Sequence, residues 1–358
     1  MKTPNIITVS IPSQTIKYNI YIGSGILQQI SQLFDLSQYS KIVIITDTKI
    51  YDAIHMYFPQ HDVLIQIPQG EEAKNINTVQ FIWKELLKNN IDRKSLILNI
   101  GGGVIGDIGG FSASTYYRGV AFVQVPTTLL AQVDASVGGK LGFNFGEIKN
   151  CIGTFAQPKA VFIDIDTLKT LPVREFHSGF AEIIKHGLIA DSSYFELVTS
   201  KKPHEFTSTE LQTIILQSCN IKKRIVESDV EETGPRKILN FGHTVGHAIE
   251  SISHSTSHPL LHGEAVNIGM VAEAKISELI GLISHETFLT IESRISMLEL
   301  PIRYTSHNQE LLIKKMIGDK KNSHGHIKWT LINSIGQADF NIEIDIKFVR
   351  EALSYITD

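Results

Sequence analysis

The first 165 residues alternate short apolar runs of β-branched residues with amphipathic stretches, and few folds accept that rhythm. Residues 16–22 alternate with period two, the pattern of a half-buried strand. Residues 41–46, 63–68, 95–100 and 121–125 are instead continuously apolar, which suits parallel strands covered on both faces. Between them, residues 77–89 place Val79, Ile82, Leu86 and Leu87 on one helical stripe. The expectation is an α/β domain over residues 1–165 with a mostly parallel, Rossmann-like sheet. From about Thr167 the apolar period becomes 3.6, over residues 174–189, 211–227, 240–252 and 264–282. Residues 166–358 therefore read as a mainly α-helical domain, with a late hairpin over 327–340 turning at Ile335-Gly336. No internal repeat or low-complexity segment interrupts this plan. A cleft between the two halves is the expected place for a ligand.

Composition narrows the function classes. A chain of 358 residues with 42% hydrophobic and 20% charged residues is ordinary globular material, not a disordered one. Lys and Arg total 33 against 37 Asp and Glu, a net charge of −4, so no global basic field exists to hold nucleic acid. A local basic pocket can still take a small anion. Two cysteines, Cys151 and Cys219, exclude a disulfide scaffold and suit a reducing compartment. No apolar run reaches the roughly 18 residues of a membrane span. Met1 to Pro12 lacks the apolar centre of a signal peptide. A cytoplasmic protein without membrane or nucleic-acid partners is expected.

Three groups of residues carry chemistry. Gly101-Gly-Gly-Val-Ile-Gly106-Asp107 follows the run at 95–100 and matches G-x-G-x-x-G between a strand and a helix. Glycine lets backbone approach a pyrophosphate at a positive helix end, and a tight structural turn is the competing reading. The strand that should end in a ribose-binding acid ends here in Pro126-Thr127-Thr128. Asp47, ending the earlier run, is either that acid or a helix N-cap. Asp107 would repel a phosphate and is better placed against a ribose or nicotinamide. Second, His243 and His247 lie i, i+4 on one helix face, with His262-Gly263-Glu264 downstream and Glu182 and Lys185 at i, i+3 upstream. Three ligands from separate helices with an open position describe catalytic zinc, although histidine pairs also occur on solvated faces. His254 and His258 read as surface loop residues. Third, Arg118, Lys140, Lys149, Lys185, Lys222, Arg236 and Lys320-Lys321 lie near these motifs. Lys149-Asn150 and Arg236 with Asn240 pair cations with amides, which suits carboxylate and phosphate recognition.

In order along the chain, the motifs are Gly101–Asp107, Tyr117-Arg-Gly119, Gln124-Val-Pro-Thr-Thr-Leu-Leu130, Val133-Asp-Ala-Ser-Val-Gly-Gly-Lys140 and Lys149-Asn150. They continue with Leu171-Pro-Val-Arg-Glu175, Ala181-Glu-Ile-Ile-Lys185, Leu239-Asn-Phe-Gly-His243 and His262-Gly-Glu-Ala-Val266. This series, reaching from Asp47 to Gly336, resembles the 3-dehydroquinate synthase family of sugar phosphate cyclases. The resemblance implies a metal- and NAD-dependent lyase of the shikimate pathway. Its substrate would be 3-deoxy-arabino-heptulosonate 7-phosphate, a phosphorylated keto acid, and its products 3-dehydroquinate and phosphate. Transient oxidation, phosphate elimination, reduction, ring opening and aldol closure would follow one another.

The resemblance assigns Glu182, His243 and His262 to zinc, or cobalt in its place, and makes His247 a substrate contact that handles protons. NAD would meet Asp47, Gly70, Glu71, Lys74, Gly102, Gly103, Val104, Gly106, Asp107, Thr127, Thr128, Lys140, Lys149, Thr167, Thr170 and Leu171. Substrate would meet Arg118, Asp134, Lys140, Lys149, Asn150, Lys185, Lys222, Arg236, Asn240, His247, His262 and Lys320 or Lys321. Of these, His247, Lys140, Lys185, Arg118 and Asp134 would be catalytic. Arg118 would reach across a homodimer. Lys49, Thr167 and Ile148 depart from the family pattern; relatives often carry glycine where Ile148 stands, and Gly146 lies earlier. Competing readings are a cyclase of secondary metabolism whose substrate lacks the carboxylate, a polyol dehydrogenase, and an NAD-binding regulator without chemistry.

Overall fold

A computed structural model describes residues 4–11, 16–146, 148–305, 308–317 and 327–357. The strands are β1 (Asn5–Ile11), β2 (Ile16–Gly23), β3 (Ile42–Asp47), β4 (Val63–Ile67), β5 (Leu96–Gly101), β6 (Ala121–Pro126), β7 (Lys140–Phe145), β8 (Ile148–Phe155), β9 (Ala160–Asp164), β10 (Trp329–Ser334) and β11 (Gln337–Ile342). The helices are α1 (Ile30–Leu33), α2 (Thr48–Ile54), α3 (Ile76–Lys88), α4 (Gly103–Thr115), α5 (Val173–Ala190), α6 (Ser192–Val198), α7 (Ser208–Ser228), α8 (His243–Ser253), α9 (His262–Leu279), α10 (His285–Ser296), α11 (Gln309–Ile317) and α12 (Ile346–Thr357). None of the described helices is long and apolar enough to cross a membrane.

The chain forms two compact units. The first comprises Met1–Pro172 and Leu211–Glu231, and the second Val173–Glu210 and Glu232–Asp358. In the first, seven strands form one sheet in the order β1-β2-β9-β6-β5-β3-β4. All neighbours are parallel except the edge strand β1, which runs antiparallel to β2. The continuous apolarity of β3 and β5 has a direct cause. Val43, Ile45 and Ile97 enter the core under α3 and α4, while Ile42, Ile44, Leu96 and Leu98 enter the core on the opposite face. Each such side chain removed from water contributes roughly 1.5–3 kcal/mol.

The order of strands also fixes where a ligand can bind. The chain runs from β3 outward to β4, then returns past β3 to β5. The direction of winding therefore reverses between β3 and β5, and open parallel sheets bind ligands outside the carboxyl ends of strands at such a point. Asp47 ends β3 and Gly101 ends β5.

The second unit is built on α5 and α9, whose side chains are buried on nearly all sides over His177–Ile189 and Gly263–Ala274. The α8 helix begins at His243 and not at Asn240 as its periodicity suggests. Gly242 there has φ +79°, a left-handed turn, and Pro235–Asn240 form a separate 3-10 helix. β10 and β11 form the expected late hairpin, turning at Ile335-Gly336 with Gly336 at φ +92°.

Candidate active site

In the first unit the glycine run makes the β5–α4 turn. Gly102 is the N-cap of α4 and offers no side-chain cap, so the positive helix end is presented by backbone alone. Gly101, Gly102, Gly103, Gly106 and Asp107 line a small pocket with Gln124, Pro126, Ala131, Ala135 and Ser136. Thr127 N–H donates to Gly101 O at 3.0 Å, and the Thr128 hydroxyl accepts from Ala131 N–H at 3.2 Å. Val104 is half-buried in the first turn of α4. Asp47 does cap α2, accepting from Ile50 N–H at 2.9 Å.

The acid in the glycine motif is compensated within the chain. Lys74, itself buried, forms an ion pair with Asp107. Burial pushes the Asp107 carboxyl above the usual carboxylate range, against the pull of Lys74. Lys74 follows the short helix Glu71–Ala73, entered through Gly70 at φ +92°. The hairpin β7–β8 holds this segment: Asn144 donates from its side chain to Glu71 at 2.8 Å and from its backbone to Lys74 O at 2.8 Å. Asn144 Oδ1 also accepts from Asn150 N–H at 2.8 Å. Gly146 and Asn150 both have left-handed backbones, φ +59° and +49°, so Ile148 lies between two such positions and does not supply one. Lys140 opens β7 exposed and Lys149 is half-buried in β8. Asp134 lies on a π-helical turn, Ala131–Ala135, and pairs with buried Lys222 of α7. Arg118 stands exposed between Tyr117 and Gly119, three consecutive left-handed residues at φ +48°, +65° and +121°. Thr167 is buried, donating to Asp164 O at 2.7 Å and accepting from Gln132 at 3.1 Å; Thr170 donates to Thr167 O, and Leu171 follows.

In the second unit, α5, α8 and α9 bring Glu182, His243 and His262 together, with one ligand atom of each within 4.8 Å of the others. The same Glu182 oxygen lies 3.5 Å from His243 Nε2 and 3.4 Å from His262 Nε2. Glu182 is fully buried, and its other oxygen pairs with buried Lys185. Each imidazole is oriented from behind. His243 Nδ1 donates to Phe241 O at 3.1 Å, which leaves Nε2 as a lone-pair donor. His262 Nδ1 lies 3.5 Å from a Glu250 oxygen. Burial alone would lower the His262 pKa, but Glu182 and Glu250 on its two nitrogens outweigh that and push it up to about 10. A pocket that holds positive charge this strongly fits a divalent cation, and one carboxylate with two imidazoles is a zinc donor set. His247 packs against both other rings, with centroids 5.0 Å from His243 and 5.8 Å from His262. Arg236 is buried, and Asn240 donates to Glu232 at 2.8 Å. Lys320 and Lys321 lie outside the described residues.

Each residue of the His-Gly-Glu motif has its own task at the start of α9. Glu264 accepts two bonds from Arg174, both at 2.7 Å, and one from Leu261 N–H at 2.7 Å, which fixes the start of α9. Gly263 N–H donates to Ser178 Oγ, and a Cβ at Gly263 would fall 1.8 Å from Ser178 O. Only glycine lets α9 begin this close to α5, and His262 rides on that contact. The sequence reading missed Glu250, although it continues the His243, His247 stripe at i+7. It also missed Glu273, a fully buried acid on α9 that accepts from Gly242 and Val245 N–H and holds the His243 turn.

Residues 64–178 match the model of the 3-dehydroquinate synthase N-terminal domain, and residues 179–322 that of the C-terminal domain. The chain belongs to the 3-dehydroquinate synthase family. It is 40% identical over 348 residues to the 3-dehydroquinate synthase of Thermodesulfovibrio yellowstonii, covering 94% of this chain and 96% of that one. It is 39% identical to that of Vibrio atlanticus, covering 98% of each. Among solved structures, 2-epi-5-epi-valiolone synthase from Streptomyces hygroscopicus, with NAD+ and Zn2+ bound, superposes with a TM-score of 0.85 at 26% identity, covering 95% of this chain and 97% of that one. A 2-deoxy-scyllo-inosose synthase shares the fold with a TM-score of 0.87 at 23% identity, covering 98% and 99%. Family membership makes the chain an enzyme of the sugar-phosphate cyclase type.

Proposed function

We propose that the enzyme is a 3-dehydroquinate synthase, converting 3-deoxy-arabino-heptulosonate 7-phosphate to 3-dehydroquinate and phosphate. The carrying observation is the Glu182, His243 and His262 cluster, found in a chain 40% identical over nearly its full length to relatives of that name. NAD would lie at the ends of β3 and β5, against Asp47, the Gly101–Asp107 turn, Lys74 and Thr127-Thr128. When bound it supplies a hydride acceptor that later returns the hydride. A divalent ion held by Glu182, His243 and His262 would supply Lewis acidity to substrate hydroxyls.

The chain's own residues bind and orient. Buried Arg236 and the lysines Lys149 and Lys222 suit the carboxylate, since a guanidinium can grip it bidentately. Lys140, Asn150, Asn240 and Lys185 would position the hydroxyls, and His247 would move a proton beside the ligand cluster. The buried Thr167 hydroxyl, already paired twice, would shape the cofactor loop through Thr170 and Leu171 and not touch NAD. Arg118 would meet phosphate in a second copy of the chain. In support, Tyr117, Phe145, Ile148, Ile152 and Phe155 of the same unit are all exposed apolar residues. Nucleotide binding is thus proposed for the first unit, and metal and substrate binding mainly for the second.

Phosphate release from the heptulosonate phosphate, with catalytic NAD and no net NADH, tests this reading. Preferential turnover of sedoheptulose 7-phosphate would reassign the enzyme to secondary metabolism. Stoichiometric NADH from a simple polyol would reassign it to the dehydrogenases.

A further inference from the structure

We propose that His177, His204 and Glu299 form a second divalent-metal site, of the zinc class, sharing no residue with the Glu182 cluster. One ligand atom from each lies within 4.8 Å of the others. Regular tetrahedral zinc with bonds of about 2.0–2.1 Å needs ligand atoms roughly 3.4 Å apart, so closure by at most about 1.4 Å completes the site. The two exposed members, His204 and Glu299, have the rotamer freedom to make that move.

The second observation is the state of His177. This residue of α5 is only 7% exposed, and its Nε2 is buried without a hydrogen-bond partner among the described residues. A buried imidazole nitrogen normally finds a partner, and one left without invites an atom from outside the chain. His204 supplies the facing ring, with centroids 6.5 Å apart and planes 23° apart. Glu299 supplies the carboxylate. One of its oxygens accepts from Lys202 at 2.5 Å, and the other is the available donor. Glu299 also holds a left-handed backbone, φ +58°, which a side chain other than glycine adopts at a cost. The loop that carries His204 is anchored to α5, because Phe206 stacks on Phe180 at 5.8 Å. Glu205 further stiffens the loop by accepting from Lys202 N–H at 2.8 Å. Two imidazoles and one carboxylate, with water at the fourth position, would clip this loop and the Glu299 turn to α5.

Untagged full-length protein dialysed against zinc alone tests the site through bound-metal analysis. Wild type is expected to hold two equivalents, and His204→Ala and His243→Ala one each. His204→Ala alters an exposed side chain and should fold. Glu299→Gln should weaken the second equivalent at least tenfold. Zinc should also raise the Tm of His243→Ala, an effect that the added His204→Ala change removes. Loss of all bound zinc in His243→Ala, or retention of two equivalents by His204→Ala, would overturn the site and leave an ordinary water as the partner of His177. A single equivalent in wild type that His243→Ala keeps and His204→Ala loses would instead tell against the Glu182 cluster and leave this site standing.

Discussion

The two candidate sites are made of different materials. The site in the first unit is mostly backbone: a glycine turn, a bare helix end and two acids already matched by lysines, Asp107 by Lys74 and Asp134 by Lys222. The cluster in the second unit is wholly side chain. Glu182, His243 and His262 come from three helices, and each depends on a neighbour for its aim. Backbone sites lose function by degrees when a side chain changes, because the hydrogen-bond donors remain. A cluster that concentrates charge around one point fails outright when one member goes.

His243→Ala should give the largest effect: loss of the bound metal and a fall in phosphate release of roughly a thousandfold or more. Chelation of wild type should do the same, reversed by added zinc. Metal retained by His243→Ala would break the contrast. Gly263→Ala comes next. Its methyl meets Ser178 O, so a loss of roughly 1–3 kcal/mol in thermal unfolding should accompany weakened metal binding. Glu250→Gln leaves all three ligands but loosens His262, and should lower metal affinity roughly 10–100-fold in a competition titration. Lys74→Ala, on the other side of the comparison, uncovers Asp107. NAD binding by calorimetry should weaken about tenfold with metal content unchanged. The smallest effect concerns the cysteines. Burial pushes the Cys219 thiol up to about 12, so at pH 8 it stays protonated in the folded protein. Iodoacetamide should therefore label half-exposed Cys151 and spare Cys219 until denaturant is added.

The same contrast explains what could be read in the sequence. The continuous runs of β3, β5 and β6 were legible because covering both sheet faces leaves no room for polar alternation. β7 and β8 were not. Leu141 and Phe143 of β7 do enter the core beside α4, but Gly142, Asn144 and Gly146 break up the apolar run, and Phe145, Ile148, Ile152 and Phe155 stay exposed. The glycine turn was visible because its parts are contiguous. The convergence of Glu182 with His243 and His262 was not inferable from spacing, since 61 and 80 residues separate them (243 − 182 and 262 − 182). Family resemblance supplied that grouping. The supports, Glu250 and Glu273, escaped notice because a buried acid on a helix looks like any surface acid until the packing is known.

The return of α7 to the first unit has a consequence for how the polypeptide comes off the ribosome. Translation finishes the seven strands well before it supplies Cys219, which meets Gln132 O at 3.4 Å, and Lys222, which closes on Asp134. The nascent sheet must wait, incomplete on that flank, while residues 173–210 of the other unit are synthesised. No single proteolytic cut or stop codon can liberate the sheet-bearing half intact; a gene encoding all of it must replace residues 173–210 with a linker and stop after 231.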